Sequence, residues 1–236
     1  MKNIFSYFDK IYCINLSHRE DRWANCTAQF SKFNFSDRVE RFDAIKYKNP
    51  ILSPKANGHI GCGLSQYLIM KEAKNKNYSS ILILEDDFLF LKEPKEFENK
   101  LQKSIAELPS DWDLFYFGAY FVKGYDYEPV EKYSDNLLKV NTGFCNHSLA
   151  CSSRGINKIL NTFKLDSEDE IITFSKEYET IDWYLVREFQ FENKCFAPNE
   201  LLSVQKAGFS DIENQFLDYS NYFKQSYKKY LESVSK

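Results

Sequence analysis

Glu85-Asp86-Asp87 lies inside the run ILILEDDFLF, from Ile81 to Phe90, with apolar residues hard against both sides. Three adjacent carboxylates repel one another unless a cation sits among them. Hard oxygen ligands of this kind suit Mg²⁺ or Mn²⁺, shared with phosphate oxygens of a substrate. In an extended chain alternate residues face the same way, so Glu85 and Asp87 address one object while Asp86 points elsewhere. The plain alternative is an ordinary strand end with solvated acids. It carries less weight at the edge of a sheet where ligands bind.

Three other stretches offer chemistry. Arg19, Asp21 and Arg22 open a helix after the run KIYCINL. Guanidinium groups are forked donors to phosphate, and a helix start adds free N–H groups for an anion. A capped helix with surface charges explains the same residues equally well. His59 to Gln66 holds Gly61 and Gly63 at an expected helix start, where glycine lets backbone approach a ligand closely. It matches neither GxGxxG nor a P-loop, and a tight loop-to-helix join is the plainer explanation. In Glu179-Thr180-Ile181-Asp182-Trp183-Tyr184, Thr180 can cap a helix whose first turn carries Asp182. That carboxylate is a candidate general base, with Trp183 and Tyr184 stacking on a sugar face. A dipole-stabilising acid beside two core aromatics is the competing account. Gln205 to Ile212 reads as a polar loop suited to closing over a ligand. Cys145, His147 and Cys151 are close in sequence, but their spacing matches no standard zinc site and core packing is the stronger reading.

The elements that must position these groups follow from the apolar pattern. Lys10 to Leu16 and Ser79 to Asp86 are short, continuous apolar runs, as in a parallel sheet buried on both faces. Ser17 and Glu20 form a capping-box pattern opening a helix to about Phe33. Arg38 to Ile45 alternates as a second strand, and Lys46 to Gly61, with two prolines and two glycines, reads as a loop. A helix follows from Cys62 to Lys74, then another from Pro94 to Leu108. Asp113 to Phe121 reads as one strand, and Leu138 to Val140 and Ser148 to Ser152 as two short ones. Helices are expected over Arg154 to Phe163 and Thr180 to Phe189, and extended chain over Lys194 to Val204. From Ile212 onward Phe216, Tyr219, Tyr222, Phe223, Tyr227 and Tyr230 form an aromatic stripe at helical spacing, predicting a C-terminal helix at about 212–236. Strands alternating with helices predict an α/β fold with a mostly parallel sheet, in one domain over 1–236. The ends of the first and third strands would then face one crevice.

Composition limits the alternatives. The chain has 236 residues, 43% hydrophobic and 17% aromatic, enough for a full core and against disorder. Net charge is −3 with both signs interspersed, which argues against a nucleic-acid partner. No run reaches transmembrane length, and MKNIFSYFDKIYCINL lacks a small-residue cleavage site. With six scattered cysteines, the expectation is a cytoplasmic protein with reduced thiols and at most peripheral membrane contact.

The order of three blocks carries a resemblance: Tyr12-Cys-Ile-Asn-Leu-Ser-His-Arg-Glu-Asp-Arg22, then Gly58-His-Ile-Gly-Cys-Gly-Leu-Ser65, then Leu82-Ile-Leu-Glu-Asp-Asp87. Together they resemble glycosyltransferase family 25, which holds lipooligosaccharide and procollagen galactosyltransferases. The resemblance implies a GT-A fold (Rossmann-like, with helices flanking the sheet), a UDP-sugar donor, a divalent cation (Mn²⁺ or Mg²⁺) and transfer with inversion. It places Asp87 on the metal, with Glu85 toward the metal or the ribose in a DxD-like arrangement. Asn15, Leu16, Arg19, Arg22, Gly61, Ser65, Glu85 and Asp86 fall around the nucleotide sugar. Asp182 is the expected base and Asp211 the second choice. UDP-galactose is the expected donor, with a glycan, a lipooligosaccharide or a hydroxylated protein as acceptor. The family pattern has Ser-His where this chain has Ser65-Gln66, and glutamine cannot carry a proton-transfer role. Two further classes remain open: a non-catalytic sugar-nucleotide or glycan binder on the same scaffold, and an interaction protein using the aromatic tail.

Overall fold

The computed structural model describes residues 3–234. The first half alternates strand and helix: β1 (Lys10–Asn15), α1 (Glu20–Lys32), β2 (Val39–Asp43), α2 (Pro54–Asn75), β3 (Ser80–Glu85), β4 (Phe88–Phe90) and α3 (Pro94–Glu107). The second half is more mixed. It runs through β5 (Leu114–Tyr116), β6 (Tyr120–Phe121), β7 (Val130–Lys132), β8 (Leu137–Val140), β9 (Gly143–Phe144), β10 (Ser148–Ser152), α4 (Ser153–Thr162), α5 (Glu168–Glu177) and α6 (Ile181–Tyr184). It closes with β11 (Cys195–Pro198), β12 (Ser203–Gln205), β13 (Gly208–Ser210), β14 (Gln215–Leu217) and α7 (Ser220–Val234).

Eight strands form the central sheet in the order β2-β1-β3-β10-β5-β11-β8-β7. Pairing directions leave six of them pointing one way, with β10 and β8 reversed. This is the expected α/β architecture with a mostly parallel sheet flanked by helices. Strand alternation sorts side chains between two cores. Tyr12, Ile14, Ile81 and Ile83 face the layer of α2, α4 and α7, whereas Ile11, Cys13, Leu82 and Leu84 face α1 and α3. The second core is phenylalanine-rich. Phe90 packs on Phe97 at 4.4 Å between ring centroids and on Phe33 at 4.9 Å, within the range where aromatic pairs attract.

Several elements differ from the sequence expectation, each for a local reason. Helix α1 starts at Glu20 rather than Ser17, and no side chain caps it. The Asn15 side chain instead donates to the Arg19 carbonyl, bending the chain before the helix begins. Helix α2 starts at Pro54, capped by Ser53, so part of the expected loop is helical and Gly58, Gly61 and Gly63 lie within the helix. The reason for Gly61 is packing: a Cβ there would stand 2.3 Å from the Ile45 carbonyl oxygen. Gly118 divides the single strand expected over Asp113 to Phe121, because a Cβ there would meet the Ser203 carbonyl oxygen at 2.0 Å.

Helix α5 was not expected, although Ser167 and Glu170 form a complete capping box at its start. The helix expected over Thr180 to Phe189 exists as α6 followed by a wider turn over Leu185–Phe189. In the tail, Ile212 to Leu217 is not helical. β13 and β14 form a hairpin pairing Phe209 with Phe216, and α7 begins only at Ser220. Phe223, Tyr227 and Tyr230 of the aromatic stripe are buried on one face of α7, while Tyr222 is exposed. Residues 235–236 of the expected helix lie outside the described residues.

Candidate active site

The carboxyl ends of β1 and β3 open into a cavity of about 840 Å³. Glu85 ends β3, and Asp86 and Asp87 form the turn that follows it. Glu85 continues the face of Ile81 and Ile83 toward α2, where Gln66 Nε2 donates to Glu85 Oε1 at 3.0 Å and the Cys62 thiol lies 3.6 Å away. Asp86 turns to the other side. It accepts from Asn15 Nδ2 at 2.6 Å and from Arg22 at 2.5 Å, a charge-assisted bond. Asp87 lies 3.6 Å from the same arginine, and its Oδ1 is sealed from solvent without a hydrogen-bond partner among the described residues. Asp86 is thus a structural counter-ion, and Glu85 and Asp87 are the carboxylates left for other work.

Asp182 reaches the same cavity from α6. Thr180 caps that helix by accepting from the Trp183 amide at 3.3 Å. Asp182 Oδ2 accepts from the Cys145 N–H at 3.2 Å. Cys145 has φ of 75°, a left-handed conformation that costs a non-glycine residue energy. The strained backbone aims this amide at the carboxylate.

Electrostatics set these acids apart from the surface ones. Burial, then the charges of Asp87 and Asp182, pushes Glu85 up to about 8. Asp87 is raised to about 6 by burial, partly offset by Arg22. Asp182 is raised to about 6, also by burial, with the Cys145 amide opposing. Carboxyls whose ionisation is disfavoured by burial in one cleft mark a candidate functional site.

A hard cation fits this donor set. Among the described residues no group of three or more His, Cys, Asp or Glu side chains could hold a metal unaided. Mg²⁺-type sites commonly use one or two carboxylates and take the remaining ligands from substrate phosphates and water. Asp87, with its unpaired buried oxygen, and Glu85, strained by like charge, supply such a pair.

The remaining sequence candidates divide. Asn15, Leu16, Arg22, Gly61, Ser65 and Asp211 line the cavity, whereas Arg19 is not part of its wall. Arg19 is held by Asp21 at 2.9 Å and by Asp211 across the cleft. Asp211 sits on the β13–β14 hairpin, and the Phe209 carbonyl of that hairpin accepts from Arg22 at 2.8 Å. Ser65 is buried. Its hydroxyl donates to the Gly61 carbonyl at 2.7 Å and accepts from the Ile45 amide at 2.9 Å, fixing the loop after β2 against α2. Tyr184 is a core residue, its hydroxyl 2.6 Å from that of Thr162, so it offers no sugar platform. Trp183 does line the cavity, edge-on to Phe144 at 4.8 Å.

Sequence reasoning missed His59, which lies in the wall between Glu213 at 3.4 Å and Glu179 at 3.8 Å, its pKa lowered by burial. It also missed Asn146. His59 stands in the Gly58–Ser65 block yet is not read there as a site residue, and Asn146 stands in no pattern that would have singled it out.

Comparison with known proteins shows the family. The model of glycosyltransferase family 25 (LPS biosynthesis protein) matches residues 8–175. The chain belongs to that family. It is 27% identical over 221 residues to procollagen galactosyltransferase 1-A of Xenopus laevis, covering 83% of this chain and 34% of the relative. It is also similar to the inactive glycosyltransferase 25 family member 3 of Homo sapiens, 26% identical over 134 residues, 47% of this chain and 22% of the relative. The chain therefore spans about a third or less of the length of these curated relatives. Among solved structures, A197 from STIV aligns over 88% of this chain and 92% of its own, with 12% identity and a TM-score of 0.42. Among the described residues no helix is long and apolar enough to cross a membrane.

Proposed function

We propose that this glycosyltransferase moves a hexose from a UDP-sugar to a hydroxyl of a glycan or glycoconjugate, with inversion and with a divalent cation. The carrying observation is the convergence of Glu85, Asp87 and Asp182 on one cavity beside Arg22, with the three carboxyls shifted toward neutrality. Galactose is the sugar named for relatives such as the Xenopus laevis enzyme, and it is the donor we assign.

Breaking the bond between sugar and diphosphate leaves negative charge on the departing phosphate and positive character at the anomeric carbon. A cation, Mn²⁺ or Mg²⁺, supplies Lewis-acid stabilisation of the leaving diphosphate when bound. Asp87 and Glu85 are the residues that would hold it. Arg22, already neutralised by Asp86, keeps a guanidinium near the same charge. Asp182, raised to about 6 and oriented by the Cys145 amide, takes the proton of the acceptor hydroxyl as that oxygen bonds to the anomeric carbon. Trp183 and Phe144 offer an apolar wall for a sugar face.

The test is release of UDP from UDP-galactose with Mn²⁺, with and without saccharide acceptors. Asp87→Ala is expected to abolish turnover while leaving the fold intact. Full, metal-independent activity in that variant refutes the assignment. The existence of a relative described as inactive gives a second reading its basis. A non-catalytic binder would show a thermal shift with UDP and Mn²⁺ and no turnover.

A further inference from the structure

The wall of the cavity contains a carboxamide to which the protein gives no partner. Asn146, between β9 and β10, lines the cavity and is 2% exposed. Neither its Nδ2 nor its Oδ1 has a hydrogen-bond partner among the described residues. Buried polar atoms are nearly always paired, because leaving one unpaired forfeits its hydration without return. Two such atoms on one side chain in a substrate cavity point to a ligand that completes them.

Neighbours fix where that ligand would lie. On one side Cys145 gives its N–H to Asp182, the proposed base. On the other, the His147 carbonyl accepts from the Glu85 amide at 3.0 Å, so the backbone here is pinned to the end of β3. Asn146 is therefore held between the base and the acid cluster. In the reaction above, the transferred sugar occupies the space between the diphosphate at Asp87 and the base at Asp182. UDP alone has no group there.

We propose that Asn146 is a specificity-determining residue for the transferred sugar. Its carboxamide bonds a hexose hydroxyl, Oδ1 accepting from the hydroxyl proton or Nδ2 donating to its oxygen. A hydroxyl, or a vicinal pair, can satisfy both atoms, because each hydroxyl is donor and acceptor at once. An epimer that turns the hydroxyl away leaves the amide buried and unpaired, which is how a polar site rejects a close analogue. The assignment rests on the UDP-hexose reading above.

The test measures binding of UDP, UDP-galactose and UDP-glucose in the presence of Mn²⁺ to the full chain, to Asn146→Ala and to Asn146→Leu. The two hexoses differ at a single hydroxyl. Wild type is expected to favour one of them, and both variants to lose about tenfold of that preference while UDP affinity is unchanged. Ligand-free Asn146→Leu is expected to unfold at the same temperature as wild type or higher, since an apolar group of similar shape replaces unpaired polar atoms. A structural asparagine would show the opposite sign.

Unchanged epimer preference in the variants overturns the proposal and leaves the UDP-sugar reading standing, as it would if a buried water were the amide's partner. A wild type that binds both hexoses equally does the same. So does lowered thermal stability in both variants accompanied by weaker UDP binding. Absence of any UDP binding by wild type overturns both readings together.

Discussion

Replacing Glu85 by glutamine should stabilise the ligand-free protein, and by more as pH rises. Glu85 has its pKa raised from 4.5 to about 8 by burial and by the Asp87 and Asp182 charges. Its contribution to stability is therefore complete below pH 4.5 and lost as pH climbs through 8, because the unfolded chain ionises freely where the folded chain resists. Each pKa unit corresponds to roughly 1.4 kcal/mol, so the ceiling on this loss is about 5 kcal/mol. Glu85 is half-buried and open to cavity water, which screens part of the penalty and brings the expectation to roughly 2–4 kcal/mol.

Glutamine keeps the shape and has no proton to lose. Urea unfolding in EDTA should show wild type and Glu85→Gln together near pH 5, with the variant ahead by that amount near about pH 9. With Mn²⁺ and UDP present the order should contract or invert, since a bound cation stabilises the ionised form that only wild type can offer. A pH-independent difference, or a variant less stable than wild type at high pH without metal, refutes the electrostatic account of this cleft.

The other expectations are more local. Asp182→Asn should lower turnover by about 10²–10⁴-fold with UDP binding intact. In wild type, kcat should fall as pH drops below about 6, where Asp182 takes up a proton. Asp87, raised to about 6 as well, can keep an acid limb in Asp182→Asn, so turnover in that variant equal to wild type is the result that would assign the base elsewhere. Gly61→Ala forces a Cβ against the Ile45 carbonyl oxygen at 2.3 Å. It should cost about 1–3 kcal/mol in chemical unfolding as α2 and the loop after β2 separate; a neutral result would mean that this contact yields without cost.

Local chemistry made part of the fold readable. β1 and β3 are continuous apolar runs, and α3 is bracketed by Pro94 and Pro109, so each announces itself within a few residues. The acids at the end of β3 and the base candidate in α6 were legible for the same reason. What escaped depends on partners distant in the chain. Asp86 looks like its two neighbours in sequence, and only Arg22 and Asn15, 64 and 71 residues away, give it a different task. Arg19 reads as a phosphate donor until Asp211, 192 residues on, occupies it. The aromatic tail has helical spacing throughout, yet cross-strand pairing of Phe209 with Phe216 takes its first part into a hairpin. Helix α5 was different, because its Ser167–Glu170 signal was local and was overlooked.

The acid loop is fastened at both ends. β3 locks Glu85 in the central sheet, and after the two-residue turn Asp86-Asp87 both Phe88 and Phe90 are buried in the phenylalanine-rich core while β4 pairs with β12. Side chains alternate along β4, so a one-residue slip of β4 against β12 would turn Phe88 and Phe90 outward and bring Leu89 in. This stretch can therefore diversify by exchanging one side chain for another, but hardly by changing length. The chemistry at the mouth of the cavity is thus tied to the spacing of greasy residues that never touch a substrate.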